Sequence, residues 1–425
     1  MKILLLGGGG REHALAWAIA ESPKCDKLFA APGNPGIAEL ATCVSLNIED
    51  GAAVTAFARD NGIDFVVIGP EAPLAAGVAD VLREAGLLVF GPGREAARLE
   101  ASKSFTKEVC DACGAPTAAW ARFTEEAPAL AYLDQTGAPV VVKADGLAAG
   151  KGVTVAMDLD TARDAVRAIF GGAFGAAGAE VVIEEFMEGE EASFFVLCDG
   201  EDFLPIGTAQ DHKRAFDGDE GPNTGGMGAY TPAPVMTDAV TEATIERIVK
   251  PTLAEMVRRG TPYQGVLYVG LMIKDGQPRL VEYNARFGDP ECQVLMLRLG
   301  AQALDAMLAC AEGRLAGTRL NWAPDHAMTV VMAAPGYPGS YPKGQRIGGV
   351  TAAAKGDPQV RIFHAGTAEA DGALVSAGGR VLSVTARGAT LQEAHDRAYA
   401  AVEAIDWPEA HWRRDIGWRA LSRDG

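Results

Sequence analysis

Basic residues are in short supply. The 425-residue chain carries 38 Lys and Arg against 56 Asp and Glu, a formal net charge of −18. That balance excludes a general nucleic-acid binder, which needs a basic surface to release counterions. It also means that any anionic ligand must be held by a local cluster of Lys, Arg and backbone N–H groups. Long apolar runs are lacking too. The run at residues 3–6 stops at four glycines and is too short for a signal-peptide core. No later run reaches the roughly 20 residues that span a bilayer, so no membrane association is expected. Cysteines number seven, odd and scattered, which points to reduced thiols and a cytoplasmic location. Cys110-Asp111-Ala112-Cys113 is a lone C-x-x-C with no second pair and reads as packed thiols, not zinc. No low-complexity tract occurs, and no G-x-x-x-x-G-K-[ST] phosphate loop, because Gly152 follows Lys151.

Length predicts two to four domains. MKILLLGGGG reads as a buried parallel strand running into a glycine turn, and the stretch from Arg11 opens a helix. Strand, turn and helix N-terminus together offer backbone N–H groups to an anion. Gly7-x-Gly9 resembles a dinucleotide fingerprint, yet the second strand, at 27–31, ends in Ala31-Pro32-Gly33-Asn34-Pro35-Gly36 without a carboxylate for a ribose. A nicotinamide oxidoreductase is therefore disfavoured. Strands at 64–68 and 87–90 and helices at 51–60 and 74–85 complete an open, doubly wound sheet. Its ligands should bind at the carboxyl ends of the strands, where Gly9, Gly10, Gly33, Asn34 and Glu71 lie.

Beyond residue 100 come Lys103 on a helix, a strand ending at Lys143, and the glycine loop with Gly150, Lys151 and Gly152. Lysines supply charge and a loop of N–H groups can cover phosphates, which suits a triphosphate. The stretch 180–194 reads as one strand, acidic where it leaves the core. Gln210-Asp211-His212-Lys213-Arg214 and Gly221-Pro222-Asn223-Thr224-Gly225-Gly226-Met227-Gly228 bracket a polar loop that is either functional or disordered. A helix at 237–259 and a strand at 265–273 follow. Then Glu282, Asn284 and Arg286 alternate along a strand and share one face. Such a set suits a hard cation with phosphate oxygens beside it. A helix at 290–308 comes next, and residues 325–425 read as a small α+β unit.

In this order the features resemble the ATP-grasp carboxylate–amine ligases. GGGGREHALAWA, KADGLAAGKGV, QDHKR, GPNTGGMGAY and YNARFGDPECQ narrow the resemblance to the family of phosphoribosylamine–glycine ligases (glycinamide ribonucleotide synthetases), from residue 1 to about 366. The resemblance implies α/β and α+β domains: a doubly wound pre-ATP-grasp domain at 1–102, an ATP-grasp fold at 103–324 with a mobile lid at about 120–190, and a C-terminal α+β domain at 325–425. It implies ATP-dependent ligation of glycine to 5-phosphoribosylamine through glycyl phosphate, in purine biosynthesis. Lys103 and Lys143 would bind phosphates. Glu184, Glu185, Phe186 and Met187 would form the adenine hinge, with Glu191 on the ribose. Glu282 and Asn284 would hold Mg²⁺ or Mn²⁺. Many relatives carry a further acidic ligand on the preceding strand, but Leu267-Tyr268-Val269-Gly270-Leu271-Met272-Ile273 has none. Arg286, Asp211 and Lys213 are the candidate catalytic residues. Gly9, Gly10, Arg11, Glu12, His13, Gly33, Asn34, Glu71, Asn223, Gly225, Gly226, Met227 and Asp289 are candidates for glycine and the sugar phosphate. The partners are small molecules, and the acidic surface favours a monomer or dimer. A carboxylase of the same fold is the rival; the QDHKR and GPNTGGMGAY loop argues against it.

Overall fold

The computed structural model describes residues 1–147 and 152–423. Strands β1 (Lys2–Gly7), β2 (Lys27–Pro32), β3 (Thr42–Cys43), β4 (Phe65–Ile68) and β5 (Leu88–Phe90) form a parallel sheet in the order β3-β2-β1-β4-β5. Ile3, Leu4, Leu5 and Leu6 are fully buried, as a continuous apolar run demands when helices cover both faces. The edge strand β3 is too short to announce itself. The helix expected at 74–85 is two, Glu71–Ala75 and Val78–Glu84, because Gly77 takes φ 82 between them.

A second sheet, in the order β6-β9-β7-β8, comprises β6 (Trp120–Phe123), β7 (Val140–Ala144), β8 (Val153–Ala156) and β9 (Val181–Glu185). With helices Glu126–Thr136 and Leu159–Ala168 it encloses its own core around Leu133, Val142, Val166 and Ile183. The stretch read as one strand at 180–194 is therefore two strands in two sheets. β9 belongs here and β10 (Glu190–Asp199) to the main sheet, with Gly189 at φ 147 in between.

The remaining strands are β11 (Phe203–Asp211), β12 (Arg214–Phe216), β13 (Glu220–Asn223), β14 (Gly228–Thr231), β15 (Gln264–Lys274), β16 (Gln277–Asn284), β17 (His326–Ala333), β18 (Val360–His364), β19 (Thr367–Ala370), β20 (Ala373–Ser376) and β21 (Arg380–Gly388). Eight strands form one sheet in the order β16-β15-β10-β11-β14-β17-β21-β18. The pairing of β14 with β17 carries this sheet into the C-terminal segment, so that segment is joined edge to edge and not merely packed. The polar loop is ordered: β12 and β13 pair within it. The helix at 237–259 holds a π turn, Ile245–Val249. That at 290–308 splits into Glu291–Leu299 and Gln302–Ala311, bent by 105° at Gly300. Among the described residues no single helix is long and apolar enough to cross a membrane.

Candidate active site

β15 and β16 form a hairpin, and Tyr283 is buried with its hydroxyl 2.6 Å from that of Thr252. Its neighbours Glu282 and Asn284 fall on the other face, half-buried. Lys103 begins helix Lys103–Cys113, whose first turn is fixed by Asp145: one carboxylate oxygen accepts the Lys103 N–H at 2.5 Å and the Ser104 N–H at 3.3 Å. The Lys103 ammonium donates to Gly146 O at 2.9 Å. Lys143 stands near the end of β7, 2.9 Å from Glu184. Burial disfavours ionising Glu282, but Lys213, Lys143, Lys103 and Arg286 together hold its carboxyl below the usual range. One ionised carboxylate thus faces four cations.

Beside it runs a narrow cleft lined by Glu191, Ser193, Asp211, Lys213, Tyr268 and Glu282. The Lys213 ammonium pairs with Glu191 at 2.5 Å. Burial pushes the Asp211 carboxyl up to about 7, against the pull of Lys213 and with help from Glu291 and Glu191. The Tyr268 hydroxyl donates to Glu291 at 2.8 Å and accepts from Ser193 at 2.8 Å. The structure therefore brings Glu191 of β10, Asp211 and Lys213 at the end of β11, and Glu282 of β16 together.

Glu184 does not face outward as a hinge side chain. It is 3 % exposed and also receives Lys107, at 3.2 Å. Glu185 pairs with Arg279 at 2.8 Å, Phe186 is half-buried and Met187 buried, so what this stretch offers a base edge is backbone. Gly150 and Lys151 lie outside the described residues; Gly152 accepts the Ala144 N–H at 2.8 Å. Arg286 meets Glu100 at 3.0 Å and Glu71 at 3.4 Å. It is a neutralised arginine at the edge of the cluster, not a free one.

The N-terminal candidates are engaged by protein. Glu12 accepts the Gly9 N–H at 2.7 Å and an Arg11 Nε–H at 2.5 Å, and Arg11 also donates to Phe287 O at 3.0 Å. Asp289 takes the Arg11 N–H at 3.4 Å and Gln293 at 2.9 Å. His13 Nδ1 accepts the His364 N–H at 2.7 Å. Asn34 caps the helix that follows and donates to Gly8 O at 2.9 Å and His364 O at 2.8 Å. Side chains of Arg11, Glu12, His13 and Asn34 thus bond between segments in this structure. Met227 is likewise core, fully buried, its N–H on His212 O at 2.8 Å. Asn223 closes the β12–β13 hairpin opposite Arg214. Gly225 and Gly226 are held from the C-terminal segment: Arg380 donates to Gly225 O at 2.7 Å and Tyr337 accepts the Gly225 N–H at 3.1 Å.

Several of these residues escaped the reading of the sequence: Lys107, Asp145, Tyr268, Glu291 and Arg380. Asp145 lies in KADGLAAGKGV and Glu291 in YNARFGDPECQ, and their carboxylates are the available signal. Arg380 comes from a stretch that reads only as a packed strand.

Oxygen donors are what Glu282 and Asn284 supply, which fits a hard divalent cation. Among the described residues no group of three or more His, Cys, Asp and Glu side chains could hold a metal, so a cation here would complete its shell from phosphate and water. Strand, lysines and cleft are those of an ATP-grasp ligase, a class that binds ATP with a divalent metal. Family profiles described as phosphoribosylglycinamide synthetase match the chain at residues 1–100 (N domain), 101–292 (ATP-grasp domain) and 327–419 (C domain). A phosphoribosylamine–glycine ligase of Mesorhizobium japonicum is 62% identical over 424 residues, covering 100% of this chain and 99% of that protein. The chloroplastic phosphoribosylamine–glycine ligase of Arabidopsis thaliana is 53% identical, covering 97% of this chain and 79% of that protein. The crystal structure of phosphoribosylamine–glycine ligase from Thermotoga maritima superposes with a TM-score of 0.86 at 34% identity, covering 98% of this chain and 100% of that one. A biotin carboxylase domain from Hydrogenobacter thermophilus shares the fold at 18% identity and TM-score 0.72, covering 97% of this chain and 91% of that one. The chain belongs to the phosphoribosylglycinamide synthetase family.

Proposed function

We infer that the chain joins glycine to 5-phosphoribosylamine, giving glycinamide ribonucleotide, ADP and phosphate. The observation that carries the reading is the Glu282 carboxylate, held ionised by Lys103, Lys143, Lys213 and Arg286. Lysines converging beside an oxygen-donor pair suit a polyphosphate and its cation. A carboxylate cannot expel oxide, so a glycine carboxylate oxygen first attacks the γ-phosphorus and the bond to ADP breaks. The amine nitrogen then attacks the carbonyl carbon of glycyl phosphate, the bond to phosphate breaks, and the nitrogen gives up a proton.

Lys103 and Lys143 hold the transferring phosphates, and Arg286 acts at the transferring group. Glu282 and Asn284 would hold Mg²⁺ or Mn²⁺, which when bound spreads charge from the phosphate oxygens. Asp211, ionised above about pH 7, receives the ammonium of glycine, and Lys213 aligns its carboxylate. Glu191 meets the ribose, and the backbone at 185–187 meets adenine. The backbone of Gly9, Gly10, Gly33 and Gly225, with Glu71 and Asp289 near by, borders the sugar phosphate. Residues 120–190 close over the site and exclude water from the acyl phosphate. The enzyme works in the cytoplasm, as monomer or dimer, on small molecules alone.

Phosphate release from ATP with a divalent cation, omitting glycine and phosphoribosylamine in turn, tests this. Release that needs both supports it; release dependent on bicarbonate instead would overturn it.

A further inference from the structure

Along β11 and beyond, side chains alternate. Asp211 and Lys213 line the cleft, so His212 between them points the other way, and it is 3 % exposed. Its Nε2 accepts the Gly417 N–H at 2.9 Å. This is one of a row of bonds from residues 411–419 to the loop that carries Asp211 and Lys213. His411 Nε2 donates to Ala215 O at 2.7 Å, the Arg414 N–H to Asp217 at 2.7 Å, and the Gly218 N–H to Asp415 at 2.8 Å. At the centre Arg413 is fully buried. It donates to Asp415 at 2.7 and 2.8 Å, to Asp219 at 2.9 Å and to Arg214 O at 3.2 Å. Arg419 also reaches Asp219, at 2.5 Å.

A hairpin this polar has little apolar surface with which to fix itself, and a guanidinium with all three nitrogens bonded is a rigid joint. We propose that residues 411–419 are a clamp that sets the cleft-facing loop, with Arg413 the positioning residue that holds Asp211 and Lys213 in register for glycine. The proposal rests on the reading of Asp211 as the glycine-binding carboxylate. Arg413 touches no substrate; it acts through the loop.

Steady-state phosphate release by the full chain, with each substrate varied in turn, tests it. For Arg413→Ala the KM for glycine should rise on the order of ten- to a hundred-fold, the effect of a displaced binding group. ATP affinity by calorimetry should stay within about two-fold, since the phosphate lysines lie on other elements, and Arg413→Lys should recover part of the loss. Equal changes for all substrates, or none, would overturn the clamp. Asp211→Asn measured alongside separates the two ideas. If it leaves the glycine KM unchanged, the reading of the site fails and the clamp falls with it. If it raises that KM and Arg413→Ala does not, only the clamp fails. Should Arg413→Ala not fold, Asp415→Asn and Arg419→Ala carry the same expectation and the same refutation.

Discussion

The Lys143 ammonium lies 2.9 Å from a carboxylate oxygen of Glu184, and each residue is only 3 % exposed. Lys107 takes the other oxygen at 3.2 Å, so two buried cations share one anion. Lys143 also faces Glu282 together with Lys103, a grouping of cations and oxygen donors that suits a polyphosphate.

Lys143→Ala should therefore weaken ATP binding by at least ~10-fold, equivalent to about 1.4 kcal/mol. Its cost in stability should fall short of the roughly 3–5 kcal/mol seen when a buried charge is orphaned, because Lys107 keeps Glu184 paired. Calorimetry with ATP and a urea titration check the two parts. Unchanged ATP affinity would remove Lys143 from the phosphate site.

Arg286 presents the opposite balance. It stands between Glu100 and Glu71, so Arg286→Ala leaves two neighbouring carboxylates without their cation. We expect ligation to be lost, ATP affinity to stay within a few-fold, and stability to fall by about 3–5 kcal/mol. Pairing the change with Glu100→Gln should restore most of the stability and none of the activity. Activity that returns along with stability would make Arg286 a purely structural residue.

How far the chain could be read before its fold was seen follows from how local each signal is. Apart from β3, the strands of residues 1–90 lie where expected, carrying runs such as 3–6 that only burial on both faces explains. The Glu282, Asn284 alternation is equally local. Breaks set by one backbone angle were invisible: Gly77, Gly189 and Gly300 each end an element that the side-chain pattern would have continued. Invisible too was what Arg11, Glu12, His13 and Asn34 do with their polar atoms. A buried side chain bonded to a segment some 280 or 350 residues away, as Arg11 to Phe287 and His13 to His364, looks in sequence the same as one that awaits a ligand. The C-terminal hold on the loop after β11, through Arg380 and Arg413, is long-range in the same sense.

The Asp211 carboxyl, raised to about 7 by burial, gives the reaction a pH signature. A carboxyl so raised is ionised only above that value, so the KM for glycine should be flat at higher pH and climb as pH falls below about 7. Asp211→Asn should raise the KM throughout and abolish the climb. Measuring the glycine KM between about pH 6 and 8.5 in both proteins decides the matter. A climb that survives in Asp211→Asn belongs to another group.

His13 and His364 supply a signature in stability. The His364 N–H donates to His13 Nδ1, and the two rings meet edge to face at 5.5 Å. Burial drives His13 down to about 3, with His364 adding to the effect, and burial alone takes His364 to about 4. In the unfolded chain both histidines take up protons near pH 6.5. Between about pH 4 and 6.5 the unfolded state thus binds more protons than the native one, and stability rises with pH through that window to its full value above it. Each site contributes a slope approaching 1.4 kcal/mol per pH unit. His212, also lowered by burial, acts in the same sense and Asp211 in the opposite one, so the informative quantity is the change on substitution. Urea unfolding of His364→Asn between about pH 5 and 6.5 should show the mean slope reduced by about 1 kcal/mol per pH unit relative to the parent. An unchanged slope would mean that His364 takes up its proton in the folded protein as readily as in the unfolded chain, and that the joint between the N-terminal helix and β18 opens to water in the native state.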